Sequence, residues 1–199
     1  MRDKWAAEQH WEKDWWGSCA NTFGEEAKQI TYAHRMGIKN IPKDGHWPVY
    51  DIKGKSILDL GGGPASMLLK TINGGALTVV DPCDYPKWVA ARYRHSGIRY
   101  EQIPAEDFDS ESVYDEAWIY NVLQHVIDPE QIIRRAKQSS NLIRIFEWID
   151  LPPHPGHPHE LKASELRTWL GGEGTVEHMN ENGCNGLAFY GVFPCVSMC

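Results

Sequence analysis

Ser56-Ile57-Leu58-Asp59-Leu60-Gly61-Gly62-Gly63-Pro64-Ala65 sets a short apolar run, an acid and three glycines in direct succession. Ile57, Leu58 and Leu60 have the apolar density of a strand buried on both faces in a parallel sheet. The glycines let the backbone turn sharply and approach a ligand closely. Met67, Leu68, Leu69 and Ile72 follow at helical spacing and predict a helix that Asn73-Gly74-Gly75 stops. Strand, glycine turn and helix N-terminus together form the ligand site of an open α/β sheet.

Glycine turns of this kind serve dinucleotides, nucleotides and plain tight turns alike. A second apolar run, Ala76-Leu77-Thr78-Val79-Val80, narrows the choice because it ends in Asp81, 18 residues beyond Gly63. An acid at the tip of the second strand is placed to accept hydrogen bonds from both ribose hydroxyls of a nucleoside. That fits a nicotinamide dinucleotide and S-adenosylmethionine equally. Asp59 separates them: a carboxylate before the glycines would repel a pyrophosphate, which helix amides otherwise bind, and would suit the ammonium of a methionine moiety.

Four segments now stand in order: Leu58-Asp59-Leu60-Gly61-Gly62-Gly63-Pro64, Val79-Val80-Asp81-Pro82, Pro104-Ala105-Glu106-Asp107-Phe108 and Asn121-Val122-Leu123-Gln124-His125-Val126-Ile127-Asp128-Pro129. Through them residues 50 to 195 resemble the class I S-adenosylmethionine-dependent methyltransferases of small-molecule type. The resemblance implies a Rossmann-like α/β three-layer sandwich with a mostly parallel seven-stranded sheet, a C-terminal antiparallel hairpin and covering N-terminal helices. It also implies S-adenosyl-L-methionine as cofactor and S-adenosyl-L-homocysteine as product. Carried over by position, the donor would be held by Asp59, Gly61, Gly62, Gly63, Asp81, Pro82, Ala105, Glu106 and Asn121. Two positions depart from the common pattern: Ala65 replaces the frequent third glycine, and Pro104 stands where many members carry the acid for the adenine amine. Glu106 or Asp107 is then the substitute acid.

A chain of 199 residues suits one domain, with residues 1–37 as a helical lid and 56–199 as the core. The net charge of -7 argues against a duplex nucleic-acid partner. Arg92/Arg94 and Arg134/Arg135/Lys137 read as solvated helix faces. No signal-peptide pattern opens the chain and no apolar run approaches a membrane span, so the expectation is a cytoplasmic protein. Cys19, Cys83, Cys184, Cys195 and Cys199 are odd in number and dispersed, as expected of reduced thiols.

Trp5, Trp11, Trp15 and Trp16, mixed with charged residues, predict an amphipathic first helix whose aromatic side docks on the domain. Thr22-Phe23-Gly24-Glu25 reads as a capping box opening a second helix that closes at Gly37. As a pair these helices cover one side of the sheet, and as a lid they would wall the acceptor pocket, with Trp15, Trp16 and Tyr32 the first residues to consider for that role. Residues 38–55 read as a connector. Pro86 opens a helix ending before Gly97, and Ile98 to Gln102 makes a third strand. Glu116 to Tyr120 makes a fourth, whose tip at Asn121 should face the ligand. Asp128-Pro129 caps another helix. Leu142 to Ile149 is the fifth strand, Leu161, Leu166, Trp169 and Leu170 mark a last helix, and Thr175–Met179 and Leu187–Phe193 should pair as a hairpin around Asn180 to Gly183.

Methyl transfer from a sulfonium requires mainly that the reactants be held in line, and a hydroxyl acceptor must also lose its proton. His125, four residues beyond the strand tip, is the first candidate base, with a helix-turn histidine bonded to backbone as the alternative. His154-Pro155-Gly156-His157-Pro158-His159-Glu160 lies on the same rim, and His157 and His159 are candidates to line the acceptor pocket or fix its loop. The spacing matches no zinc pattern, so no metal is expected. The segment after the fourth strand lacks the Asn/Asp-Pro-Pro-Tyr/Phe element of nucleic-acid amino-methyltransferases, as well as a Pro-Cys pair. A small-molecule acceptor, first of all an oxygen, is therefore expected. A nicotinamide-dependent oxidoreductase and a non-catalytic methyltransferase-like binding or partner module are the competing readings.

Overall fold

The computed structural model of the chain describes residues 2–17, 19, 21–41 and 48–195. In chain order these carry α1 (Arg2–Trp16), α2 (Thr22–Arg35), β1 (Asn40–Ile41), β2 (Val49–Asp51), β3 (Ile57–Leu60), β4 (Thr71–Ile72), β5 (Leu77–Val80), α3 (Lys87–His95), β6 (Arg99–Glu101), β7 (Glu116–Tyr120), α4 (Pro129–Ser139), β8 (Leu142–Trp148), α5 (Ala163–Leu170), β9 (Thr175–Glu181) and β10 (Cys184–Pro194). The main sheet runs β6-β5-β3-β7-β8-β10-β9. The first five strands are parallel, with Leu60 level with Val80 on one side and Ile119 on the other, and β10 and β9 are antiparallel. The chain steps from β3 to β5 on one side and returns to β7 on the other, which puts a crevice beyond the carboxyl end of β3.

Alternation along each strand builds two cores, one per face. Leu58, Leu60, Ala117, Ile119, Ile143 and Ile145 pack with Ile132, Ile133 and Ala136 of α4 and Leu166 and Leu170 of α5. Ile57, Val79, Trp118, Tyr120 and Phe146 pack with Tyr32 and Ala33 of α2, Met36 at its end, and Val89 and Tyr93 of α3. With helices on both faces, β3 and β7 are buried at every position. This is the expected three-layer α/β sandwich of seven strands, closed by the expected hairpin. Among the described residues, no helix is long and apolar enough to cross a membrane.

Four local expectations need correction. The helix predicted over Met67, Leu68, Leu69 and Ile72 is instead a pair of 3-10 turns, Gly63–Ala65 and Met67–Lys70, followed by β4. Thr71 and Ile72 are drawn into a parallel pairing with Tyr50 and Asp51 of β2, which turns the connector into a small three-stranded sheet with β1; Pro42 and Gly45 of that connector lie outside the described residues. The Thr22 capping box does not form: Asn21 already has helical dihedrals, and the Thr22 hydroxyl turns back to the Cys19 carbonyl at 2.9 Å. The hairpin turn tightens to Asn182-Gly183, both at positive φ, as a two-residue type I′ turn needs.

The basic pairs are not wholly solvated either. Arg92 donates to the Pro64 carbonyl and Arg135 Nε to the Glu106 carbonyl at 3.2 Å, so each braces a loop of the crevice. Cys19, Cys83, Cys184 and Cys195 are free thiols, and Cys199 lies outside the described residues.

Candidate active site

The glycine turn is held from both sides. Gly61, at φ +76°, donates to the Val80 carbonyl at 2.7 Å, and a Cβ there would lie 2.5 Å from Val122 Cγ2. Gly63 donates to Asp81 Oδ2 at 2.9 Å, and its own missing side chain would approach only Trp16 and the Tyr85 hydroxyl, at 3.6 and 3.9 Å. Asp81 Oδ1 accepts from Cys83 N at 3.0 Å, and the Tyr85 hydroxyl bonds the same carboxylate. Burial raises the Asp81 carboxyl to about 6 against the pull of these bonds. Asp59 lies beneath the turn rather than in the crevice. Its Oδ2 accepts from the Ser66 hydroxyl and from Tyr120 OH at 2.6 Å, while Oδ1 is buried without a partner. Burial, opposed by those two hydroxyls, lifts Asp59 to about 7.

Beyond β7 the chain turns at Asn121, in the left-handed region at φ +56°. The loop it opens is anchored by Glu147 of β8. That fully buried carboxylate accepts from Val122 N and Leu123 N at 3.0 and 3.1 Å and is raised by burial to about 7. Glu106 holds the far end, with Oε1 accepting from Ile127 N and Asp128 N at 2.7 and 3.1 Å. Asp128 in turn caps α4 through Gln131 N at 3.0 Å, as expected from Asp128-Pro129.

On the free part of this loop, His125 Nδ1 lies 2.7 Å from the Gly156 carbonyl and 2.9 Å from Glu12 Oε1 of α1. Both neighbours accept, so Nδ1 carries the proton and Nε2 is the acceptor nitrogen of the neutral ring. Gln124 Nε2 lies 3.4 Å from that nitrogen and donates to Asn121 Oδ1 at 3.0 Å. The His157 ring stands edge-on to His125 at 4.3 Å, its Nδ1 buried without a partner. Burial and the neighbouring His125 and His154 push His157 down to about 4, so it is neutral at physiological pH. His159 Nε2 bonds the Val126 carbonyl at 2.8 Å and serves the loop. Among the described residues, no group of three His, Cys, Asp or Glu side chains is arranged to hold a metal.

Helix α1 closes the crevice and spans its two rims. Lys13 pairs with Asp84 at 3.1 Å and Cys83 Sγ donates to Gln9 Oε1 at 3.3 Å on one side; Trp5 Nε1 donates to the His125 carbonyl at 3.1 Å on the other. The cavity beneath the helix measures about 460 Å³, within the range of small-molecule and cofactor sites. Gly61, Gly63, Asp81, Pro82, Ala105, Glu106, Asn121, His125 and His157 line it, together with Trp15, Trp16 and Tyr32; Asp59, Gly62 and His159 do not. Trp5 and Trp16 are partly buried, whereas Trp11 and Trp15 remain 58% and 56% exposed at the mouth, so only part of the aromatic side docks. Sequence reasoning passed over Glu12 and Glu147. The second had a visible signal, an acid inside the apolar run of a central strand, and the first had none.

No protein-family profile matches the chain, and no curated protein matches it in sequence. Its fold is similar to that of a 1,6-didemethyltoxoflavin N1-methyltransferase from Burkholderia thailandensis, solved with 1,6-didemethyltoxoflavin and S-adenosylhomocysteine. The two are 18% identical over 98% of this chain and 87% of that one, with a TM-score of 0.58. The N-methyltransferase NodS from Bradyrhizobium japonicum WM9, solved with S-adenosyl-L-homocysteine, is 14% identical over 71% of this chain and 78% of that one, with a TM-score of 0.53. The [4+2]-cyclase SpnF is 17% identical over 76% of this chain and 57% of that one, at 0.52. At such identities the likeness is one of fold, and chemistry must be argued from the site.

Proposed function

We propose that this chain, which has the fold of the class I S-adenosylmethionine-dependent methyltransferases, moves a methyl group from S-adenosylmethionine to a small-molecule acceptor, an oxygen in the first instance. The observation that carries the reading is one cavity beyond the strand ends that joins Asp81 and the glycine turn to His125 and His157 under α1. The residues fit the donor. Gly63 presents bare backbone to the cavity, and Asp81 keeps acceptor capacity beyond the two amides and the Tyr85 hydroxyl that already donate to it. In this reading Gly61, Gly63, Asp81, Pro82, Ala105, Glu106 and Asn121 hold the donor directly, and Asp59 and Gly62 support the turn from below.

When bound, the donor supplies an electrophilic methyl group on a positively charged sulfur. The chain supplies position, dryness and a proton acceptor. His125 Nε2 takes the proton of the acceptor hydroxyl while Nδ1 keeps its own. His157, held neutral by burial, lines the cavity beside His125 without adding charge. The tryptophans of α1 exclude water and give a flat acceptor apolar surface to lie against.

Calorimetric titration with S-adenosylmethionine, S-adenosylhomocysteine and NADH tests the reading. Micromolar binding of the two adenosyl ligands and none of NADH is expected, and binding of NADH alone would overturn it. A second reading, a binding module or an enzyme of other chemistry on this fold, is favoured by one observation. The carboxylates of Asp81 and Glu106 already serve backbone amides, at Gly63 and Cys83 and at Ile127 and Asp128. Tight donor binding without turnover across a hydroxyl and amine screen would favour that reading.

A further inference from the structure

Glu12 lies on α1, outside every segment that carries the donor site, yet its carboxylate sits 2.9 Å from His125 Nδ1. Other contacts also seat the helix. Trp5 bonds the His125 carbonyl, Gln9 and Lys13 bond Cys83 and Asp84, and Trp11 packs on Gly156, where a Cβ on the glycine would lie 3.4 Å from the Trp11 Cβ.

We propose that Glu12 is a positioning residue for His125: when α1 is seated, its carboxylate fixes the Nδ1–H tautomer, leaves Nε2 as the acceptor nitrogen and steadies the imidazolium once Nε2 has taken a proton. This rests on the reading of His125 as the base. In the step, the acceptor's O–H bond breaks, the proton moves to Nε2, Nδ1 keeps its proton and Glu12 stays a carboxylate; the proton leaves to water afterwards. The base is thus complete only while the helix closes the mouth, which couples proton removal to exclusion of solvent.

On balance the neighbours favour a charged His125. Burial disfavours the charged ring, and the Glu12 bond and charge, the Gly156 carbonyl and the more distant Glu147 outweigh it, so that His125 is raised. Burial of Glu12 is likewise outweighed by His125, with smaller help from His157 and Trp16, so that Glu12 is lowered. His157, edge-on to His125, and His154 beside it are the other imidazoles facing the pair, and His157 is itself held neutral.

The test is a side-chain NMR titration of His125 in the ligand-free protein, its signal assigned by loss in His125→Gln. Glu12→Gln should lower the titration midpoint and Glu12→Asp should restore part of the difference, with the helical circular dichroism unchanged. In turnover, the acid limb of the kcat profile should move to lower pH and kcat should fall while KM holds. An unchanged midpoint in Glu12→Gln, with S-adenosylhomocysteine still bound, would overturn the role of Glu12 and spare the methyltransferase reading. A lowered midpoint in a protein that binds no adenosyl ligand would support the pairing and sink that reading instead.

Discussion

Asp59→Asn should change how stability depends on pH, and the structure sets the size of the effect. Asp59 is fully buried, with Oδ2 bonded to Ser66 and Tyr120 and Oδ1 bonded to nothing. Burial lifts its carboxyl from the ordinary 3.8 to about 7. A carboxyl raised on folding contributes most below its unfolded value, and the contribution drains away as pH climbs from 3.8 past 7. At about 1.4 kcal/mol per pH unit, the whole gap amounts to about 4 kcal/mol, of which roughly 2 to 3 kcal/mol falls between pH 5 and 8. Asparagine keeps an oxygen for Ser66 and Tyr120 but does not titrate. Its buried amide nitrogen costs about 1 to 3 kcal/mol, a penalty that is the same at every pH. Urea denaturation followed by tryptophan fluorescence, run from pH 5 to 8.5, therefore compares slopes. Glu147 titrates in both proteins and cancels from the difference, whereas Asp81, whose charge helps to raise Asp59, leaves a smaller remainder. The wild type should lose its advantage over Asp59→Asn steadily as pH rises. A difference that stays constant across the range would refute the placement of a largely neutral carboxyl under the turn.

The other expectations bear on the turn and the site. Gly61→Ala forces a Cβ into a left-handed residue, at about 1 to 2 kcal/mol, and into Val122 Cγ2 at 2.5 Å, for about 1 to 3 kcal/mol of overpacking; a melting temperature equal to wild type would contradict the packing. Asp81→Ala should weaken S-adenosylhomocysteine binding by about 1.5 to 3 kcal/mol, the worth of a hydrogen bond to a charged group, and an unchanged Kd by calorimetry would remove Asp81 from the donor site. His125→Ala should lower turnover on the order of 100-fold with donor affinity nearly intact, and a fully active variant would take His125 off the catalytic list.

The parallel core was legible because its central strands are short apolar runs, with β5 closed by Asp81 and β7 by Asn121, and both faces demand apolar side chains. What pattern could not separate was a turn of helix from a strand at residues 67–72, since both place Met67 and Leu68 inward. The deciding partner, β2, is remote in sequence and only three residues long. The capping box at Thr22 failed for a related reason. Its residue types were right, but Asn21 had already joined the helix.

The same geometry explains which acids the sequence could assign. Within a strand, side chains alternate between faces, so Asp59 shares the face of Ile57 and turns into the layer under α2 and α3. There the nearest groups are hydroxyls rather than a ligand. Asp81 and Asn121 each follow the last strand residue, Val80 and Tyr120, and so stand at the rim where the cavity begins. Glu147 lies within its strand, yet reaches the amides of Val122 and Leu123 because the neighbouring strand β7 ends at Tyr120 and leaves those amides without a ladder partner. An acid's place relative to the end of its own and its neighbour's ladder, more than its presence in a motif, decides whether it meets a ligand, a loop or the core. Only the ladder's register supplies that place. Glu12 belongs to no ladder at all, and only the seating of a helix brings it to His125.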